Sequence, residues 1–145
     1  MSAVKRRLVV VGNGMAGARV VEEILKRAPD RFDIAMFGAE PYGNYNRILL
    51  SNVLNGSQTA TDIFMNPLAW YRNNNIRLHA GVKATHIDRE RRVVVGATLR
   101  KEALAYSADA AAQEGAEPVE EPYDDVIIAT EIGRASCRER VYVLV

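Results

Sequence analysis

Three glycines, Gly12, Gly14 and Gly17, follow the apolar run Leu8-Val9-Val10-Val11 at the spacing G-x-G-x-x-G. None of them donates a proton or attacks a bond. The chemistry this spacing suits is non-covalent capture of a pyrophosphate. Gly12 permits a tight turn off a strand, Gly14 lets the backbone approach the phosphates, and Gly17 lets the next helix pack against the strand. That helix opens at Met15 and Ala16, so its free N–H groups and positive dipole end face the same place. Glu40 follows near the distance at which this fingerprint wants an acid for a ribose hydroxyl. Arg47 adds a rigid fork of donors suited to a diphosphate. A solvated arginine beside a small packing helix is the other reading of that residue.

Other chemistries find little support. His79 and His86 are the only histidines, and they fall on different strand candidates without Cys, Asp or Glu at ligand spacing. No metal site and no hydrolase triad is expected from them; they read as polar strand positions. The single cysteine, Cys137, excludes a disulfide framework, a thiolate cluster and a redox-active cysteine pair within the chain. A net charge of +1 gives no reason to expect a nucleic-acid or membrane-surface partner. Trp70 and Tyr71 lack a basic surround and read as packing residues rather than a base-stacking platform. Lys5-Arg6-Arg7 precedes an apolar run that stops at Gly12, too short for a signal peptide or a membrane span. A cytoplasmic protein is therefore expected.

The elements that must position the glycine turn are those of an α/β fold. Leu8 to Val11 is apolar on every side, as in a strand buried on both faces of a parallel sheet. A helix is predicted from Met15 to Ala28, ended by Pro29-Asp30. A second strand over Asp33 to Phe37 completes a βαβ unit with a right-handed crossover. Ile48-Leu49-Leu50 and Val53-Leu54 suit one short helix, and Asn55-Gly56-Ser57 a turn. Thr61-Asp62 is expected to cap a short segment, and Pro67 to open a helix through Trp70 and Tyr71. Ile76 to Ala80 reads as a strand, and Lys83 to Asp88 and Arg92 to Val95 as a small antiparallel piece. Gly96 to Pro122, alanine-rich at 108–112, reads as an exposed excursion with one or two helical turns around Lys101 to Ala112. Tyr123 to Thr130 repeats the buried-strand pattern and suits a place beside the first strand. At 145 residues, 48% hydrophobic and 26% charged, the chain has the size and composition of one globular domain.

These residues resemble a known family. Val9-Val10-Val11-Gly12-Asn13-Gly14-Met15-Ala16-Gly17, Phe37-Gly38-Ala39-Glu40-Pro41 and Asn44-Tyr45-Asn46-Arg47-Ile48-Leu49-Leu50-Ser51 look like the flavin domain of the NAD(P)H-dependent assimilatory nitrite reductase large subunit. Trp70-Tyr71, Leu78-His79-Ala80-Gly81 and Tyr123-Asp124 to Ala129-Thr130 fit it too. The resemblance covers most of residues 6–95 and 122–130. Either motif alone would indicate only the wider class of FAD/NAD(P) pyridine-nucleotide oxidoreductases. It implies a Rossmann-like FAD-binding domain: a parallel sheet flanked by helices, with a small antiparallel piece. Gly12, Gly14, Met15, Ala16 and Gly17 would cradle the FAD pyrophosphate, Glu40 would hold the adenosine ribose and Arg47 the pyrophosphate. The backbone at Ala84 would meet the adenine, and Ala129 and Thr130 would pass close to the cofactor. No catalytic residue and no metal ligand follows from it. It further implies electron transfer from NAD(P)H through the flavin to an iron–sulfur cluster and sirohaem, where nitrite becomes ammonia. Those centres and the NAD(P)H domain would belong to sequence outside this chain, and a small subunit or a homo-oligomer is a further expected partner.

Two departures bound the resemblance. The 96–122 segment is longer than the hairpin expected there. After Ala129-Thr130 a glycine is expected, but Glu131 stands instead, and Glu131 to Val141 resembles a translated sequencing adapter. The expected organisation is therefore an FAD-binding unit over 1–130, with 96–122 as an exposed insertion, and a non-native tail over 131–145. Such a truncated chain is expected to be inactive alone. Rival readings are the FAD domain of a ferredoxin or rubredoxin reductase, and a non-catalytic dinucleotide-binding fragment.

Overall fold

A computed structural model describes residues 4–99 and 116–130. The alanine-rich part of the insertion and the expected tail with Cys137 lie outside the described residues. The first strand, β1 (Arg6–Val11), leads into helix α1 (Met15–Arg27) and strand β2 (Phe32–Gly38). β1 and β2 pair in parallel from Arg6↔Phe32 to Val11↔Phe37. α1 carries Lys26 and Arg27 in its last turn, where positive charge complements the helix dipole.

Further along come β3 (Asn44–Tyr45), a 3-10 turn (Arg47–Leu49) running into α2 (Leu50–Leu54), and a second 3-10 turn (Ala60–Ile63). β4 (Phe64–Asn66), α3 (Leu68–Asn73) and β5 (Arg77–Ala80) follow. β6 (Val82–Asp88), β7 (Val93–Thr98), β8 (Val119–Pro122) and β9 (Asp125–Ile128) complete the described chain. The parallel sheet has the order β5-β2-β1-β9, and β9 pairs with β1 as its sequence pattern suggests.

Strand alternation divides the core. Leu8, Val10, Ile34 and Met36 face Val21 of α1 and Tyr71 of α3. Val9, Val11, Ala35 and Phe37 face the other way, against Val82, Val94 and Tyr123. Helices therefore cover one face of the parallel sheet, and the antiparallel sheet β6-β7-β8 covers the other.

That second layer exceeds the sequence expectation. β7 runs on to Thr98, and Val119–Pro122 pairs antiparallel with it from Val93↔Pro122 to Gly96↔Val119. Both ends of the expected excursion are thus strand, because Val94 and Val119 pack into the core beneath them. The short-segment cap is also displaced. Thr59 precedes the 3-10 turn, and its backbone N–H and hydroxyl both donate to Asp62, at 2.9 and 2.8 Å. The three-residue spacing of a capping box favours Thr59 over Thr61. These bonds also lower the Asp62 pKa. Pro67 lies one position earlier than expected, as the N-cap of α3.

Candidate functional site

The carboxyl ends of β1, β2 and β9 meet at one edge of the parallel sheet. β1 connects onward to β2 on one side, and β9 lies on its other side, so the chain switches direction at β1. Open parallel sheets bind ligands in the crevice outside such a switch.

Gly12 turns the chain off β1 with φ +111°, and a Cβ there would lie 2.4 Å from the Ala129 carbonyl oxygen. Its N–H donates to the Phe37 carbonyl at 2.9 Å, and the Ala129 N–H donates to Val11 at 2.8 Å. A Cβ on Gly17 would lie 2.2 Å from the Gly12 carbonyl oxygen and 3.5 Å from the Ala129 Cβ. The first and third glycines therefore let turn, helix and Ala129-Thr130 segment close on one another. Gly14 differs. It is the N-cap of α1 with φ −77° and ψ −173°, a conformation any residue adopts. Among the described residues no side chain caps this helix end, its first turn carries no acid, and Met15 and Ala16 are exposed. An uncapped N-terminus of this kind leaves backbone N–H groups for an anion.

Glu40 and Arg47 come together: an Arg47 guanidinium nitrogen donates to the Glu40 carboxylate. The guanidinium also lies 5.6 Å from the Tyr45 ring centroid. The two residues expected at ribose and diphosphate are thus partners of each other. Ala84 stands on β6 beside a bulge in its pairing with β7, and packs against the core cluster of Phe37 and Val94.

Two contacts escape a sequence reading. The Tyr71 hydroxyl donates to Asn13 Oδ1 at 2.6 Å and accepts from the Asn44 N–H at 3.2 Å. Asn13 is the middle residue of the Gly12-Asn13-Gly14 turn. Asn44, 2% exposed, bonds on to Asn66 at 3.1 Å, and its Oδ1 has no partner among the described residues. The only signal was that a buried tyrosine needs a partner for its hydroxyl. The second contact is at Glu121, 8% exposed. It accepts from Arg77 at 3.2 and 3.3 Å and contacts His79 Nε2 at 2.7 Å. His79 is also stacked against Phe37, ring centroids 5.1 Å apart. Arg77 donates to Asp33 at 2.7 Å, and these two carboxylates raise its pKa. His79 thus belongs to a carboxylate-centred tie between the two sheets.

Comparison with known proteins agrees with this fold. The pyridine nucleotide-disulphide oxidoreductase family matches residues 6–135. A nitrite reductase [NAD(P)H] of Bacillus subtilis (strain 168) is 44% identical over 126 residues, which is 87% of this chain and 13% of that protein. An assimilatory nitrate reductase electron transfer subunit of the same organism is 47% identical over 102 residues, 70% of this chain and 13% of that protein. The NADH:rubredoxin oxidoreductase of Clostridium acetobutylicum shares the fold, with a TM-score of 0.63 at 24% identity over 88% of this chain and 28% of that one. The chain spans about an eighth of the length of these two curated relatives. Among the described residues no helix is long and apolar enough to cross a membrane.

Proposed function

The chain belongs to the pyridine nucleotide-disulphide oxidoreductase family, and on that premise we propose that its glycine turn holds the pyrophosphate of FAD. The observation that carries this reading is the uncapped N-terminus of α1, set by a turn that Gly12 and Gly17 close against Ala129. The residues present fit the cofactor. Backbone N–H groups at Met15, Ala16 and Gly17 suit the phosphates, and Gly14, whose backbone shape does not require glycine, suits their close approach. Glu40 suits the adenosine ribose, and Arg47, its ion-pair partner, would hold the pyrophosphate. Ala84 is assigned to the adenine, and Ala129 and Thr130 to the wall beside the cofactor. Bound FAD supplies two-electron acceptance from a reduced pyridine nucleotide. The protein's own part is to bind, orient and neutralise.

In the full protein this unit serves an oxidoreductase that takes electrons from NAD(P)H and passes them on for nitrite reduction to ammonia. The 44% identity to the Bacillus subtilis nitrite reductase supports that acceptor over ferredoxin or rubredoxin. Sirohaem, an iron–sulfur cluster and the NAD(P)H site would lie in sequence outside this chain, with a small subunit or a second copy as further partners. Residues 1–130 form the dinucleotide-binding unit in this reading, and 131–145 a non-native tail.

The test is a set of equilibrium titrations of the purified chain with FAD, ADP and FMN. FAD and ADP should bind, and FMN, which lacks the pyrophosphate-linked adenosine, should not. Equal binding of FMN and FAD, or binding of neither FAD nor ADP, would overturn the reading.

A further inference from the structure

We propose that Tyr71 is a positioning residue for the bound dinucleotide, holding the Gly12-Asn13-Gly14 turn in register with the segment that leads to Arg47. This rests on the FAD reading above and adds to it a residue that touches no cofactor. Tyr71 is 1% exposed and sits among Val10, Val21 and Ile76. Its hydroxyl donates to Asn13 Oδ1 in the turn and accepts from the Asn44 N–H, three residues before Arg47. Asn13 is further fixed to this segment by its Nδ2, which donates to the Tyr42 carbonyl at 3.4 Å. The glycine turn and the segment of β3 and the 3-10 turn are thus joined by the phenol and, at longer distance, by the Asn13 amide.

The chemistry of the link suits a fixed strut. Burial pushes the Tyr71 phenol above the usual tyrosine range, so it stays a donor across the working pH range. A planar ring with two rotatable bonds, packed on every side, places its hydroxyl with little conformational freedom. Removing that oxygen leaves Asn13 Oδ1 and the Asn44 N–H without this partner, and only the longer Asn13 Nδ2 bond to the Tyr42 carbonyl then holds the turn to this segment. A displacement of the order of 1 Å at a binding constellation is costly, so the loss should appear in affinity.

The experiment is FAD titration of wild type, Tyr71→Phe and Ile76→Val, each well below its melting temperature. Ile76 packs in the same core cluster, and Ile76→Val removes one methylene without removing a hydrogen bond, so it controls for lost stability. Tyr71→Phe should weaken FAD binding about tenfold, as expected for one lost positioning hydrogen bond, while Ile76→Val leaves it unchanged. FAD affinity equal to wild type in Tyr71→Phe, or an equal loss in Ile76→Val, would overturn the inference and leave the FAD reading standing. A wild-type chain that binds no FAD would overturn the FAD reading itself. Should Tyr71→Phe not fold, Asn13→Ala removes the same bond from the turn side, together with the longer bond to the Tyr42 carbonyl. It should weaken FAD binding about tenfold too, and an unchanged affinity would overturn the inference.

Discussion

Arg47 donates its guanidinium to the carboxylate of Glu40, across the turn that follows β2. Residues expected to hold different parts of one cofactor therefore neutralise each other in the protein itself. An acid facing a pyrophosphate would repel it. Paired with Arg47, Glu40 keeps an acceptor for a ribose hydroxyl with its charge offset. Both side chains are more than a third exposed, so the pair contributes under about 1 kcal/mol to stability. Arg47→Ala should leave the melting temperature within a few degrees of wild type. FAD affinity should fall at least tenfold, and more at low than at high salt. Titrations at two salt concentrations check this.

The three glycines should separate in their effects. Gly12→Ala puts a Cβ 2.4 Å from the Ala129 oxygen at a φ of +111°, and should destabilise the fold by about 2–4 kcal/mol. Gly14→Val, at an extended N-cap, should cost no more than about 1 kcal/mol yet abolish FAD binding. Denaturant melts and FAD titrations on the same preparations test the contrast. Equal stability losses in both variants would contradict it.

Asp124 accepts from the Arg7 backbone N–H at 2.8 Å and from its guanidinium at 2.9 Å. These bonds hold its pKa well below the usual aspartate range. A depressed folded-state pKa contributes stability that is present above the unfolded value and lost as pH falls below it. Melting temperature should therefore drop as pH falls below about 4. Asp124→Asn should lower it at pH 7 and flatten that acid slope. A slope unchanged by the substitution would contradict this account.

Glu121 is a buried carboxylate held by Arg77 and His79. Arg77→Met removes its main counter-charge and should cost about 3 kcal/mol. Glu121→Gln keeps the shape and one acceptor oxygen for Arg77, leaves no buried charge, and should cost less. Chemical denaturation at pH 7 gives the ranking, and the reverse order would contradict the arrangement.

The parts of the fold set by local rules were legible. β1, α1, β2 and β9 follow from apolar runs, a glycine turn and Pro29, and each occurs within a residue or two of its expected bounds. On the second face the β6 and β7 hairpin was legible too, but its third strand was not. Val119–Pro122 carries two glutamates and a proline, and only its pairing with β7 and the Arg77 and His79 partners of Glu121 make it a strand. The site divides in the same way. Gly12 and Gly17 declare themselves through spacing, because their roles lie within a few residues of chain. Tyr71 reaches Asn13 across 58 residues, and no period or motif connects them. Glu40 and Arg47 were each visible, but their pairing depends on how the intervening turn folds.

The central claim is that this turn holds FAD. It is tested most directly by the absorption spectrum of the purified 145-residue chain after saturation with FAD and removal of the unbound excess. Flavin bands should remain with the folded protein at close to one equivalent. A folded, colourless chain that binds NAD(H) but retains no FAD would contradict it.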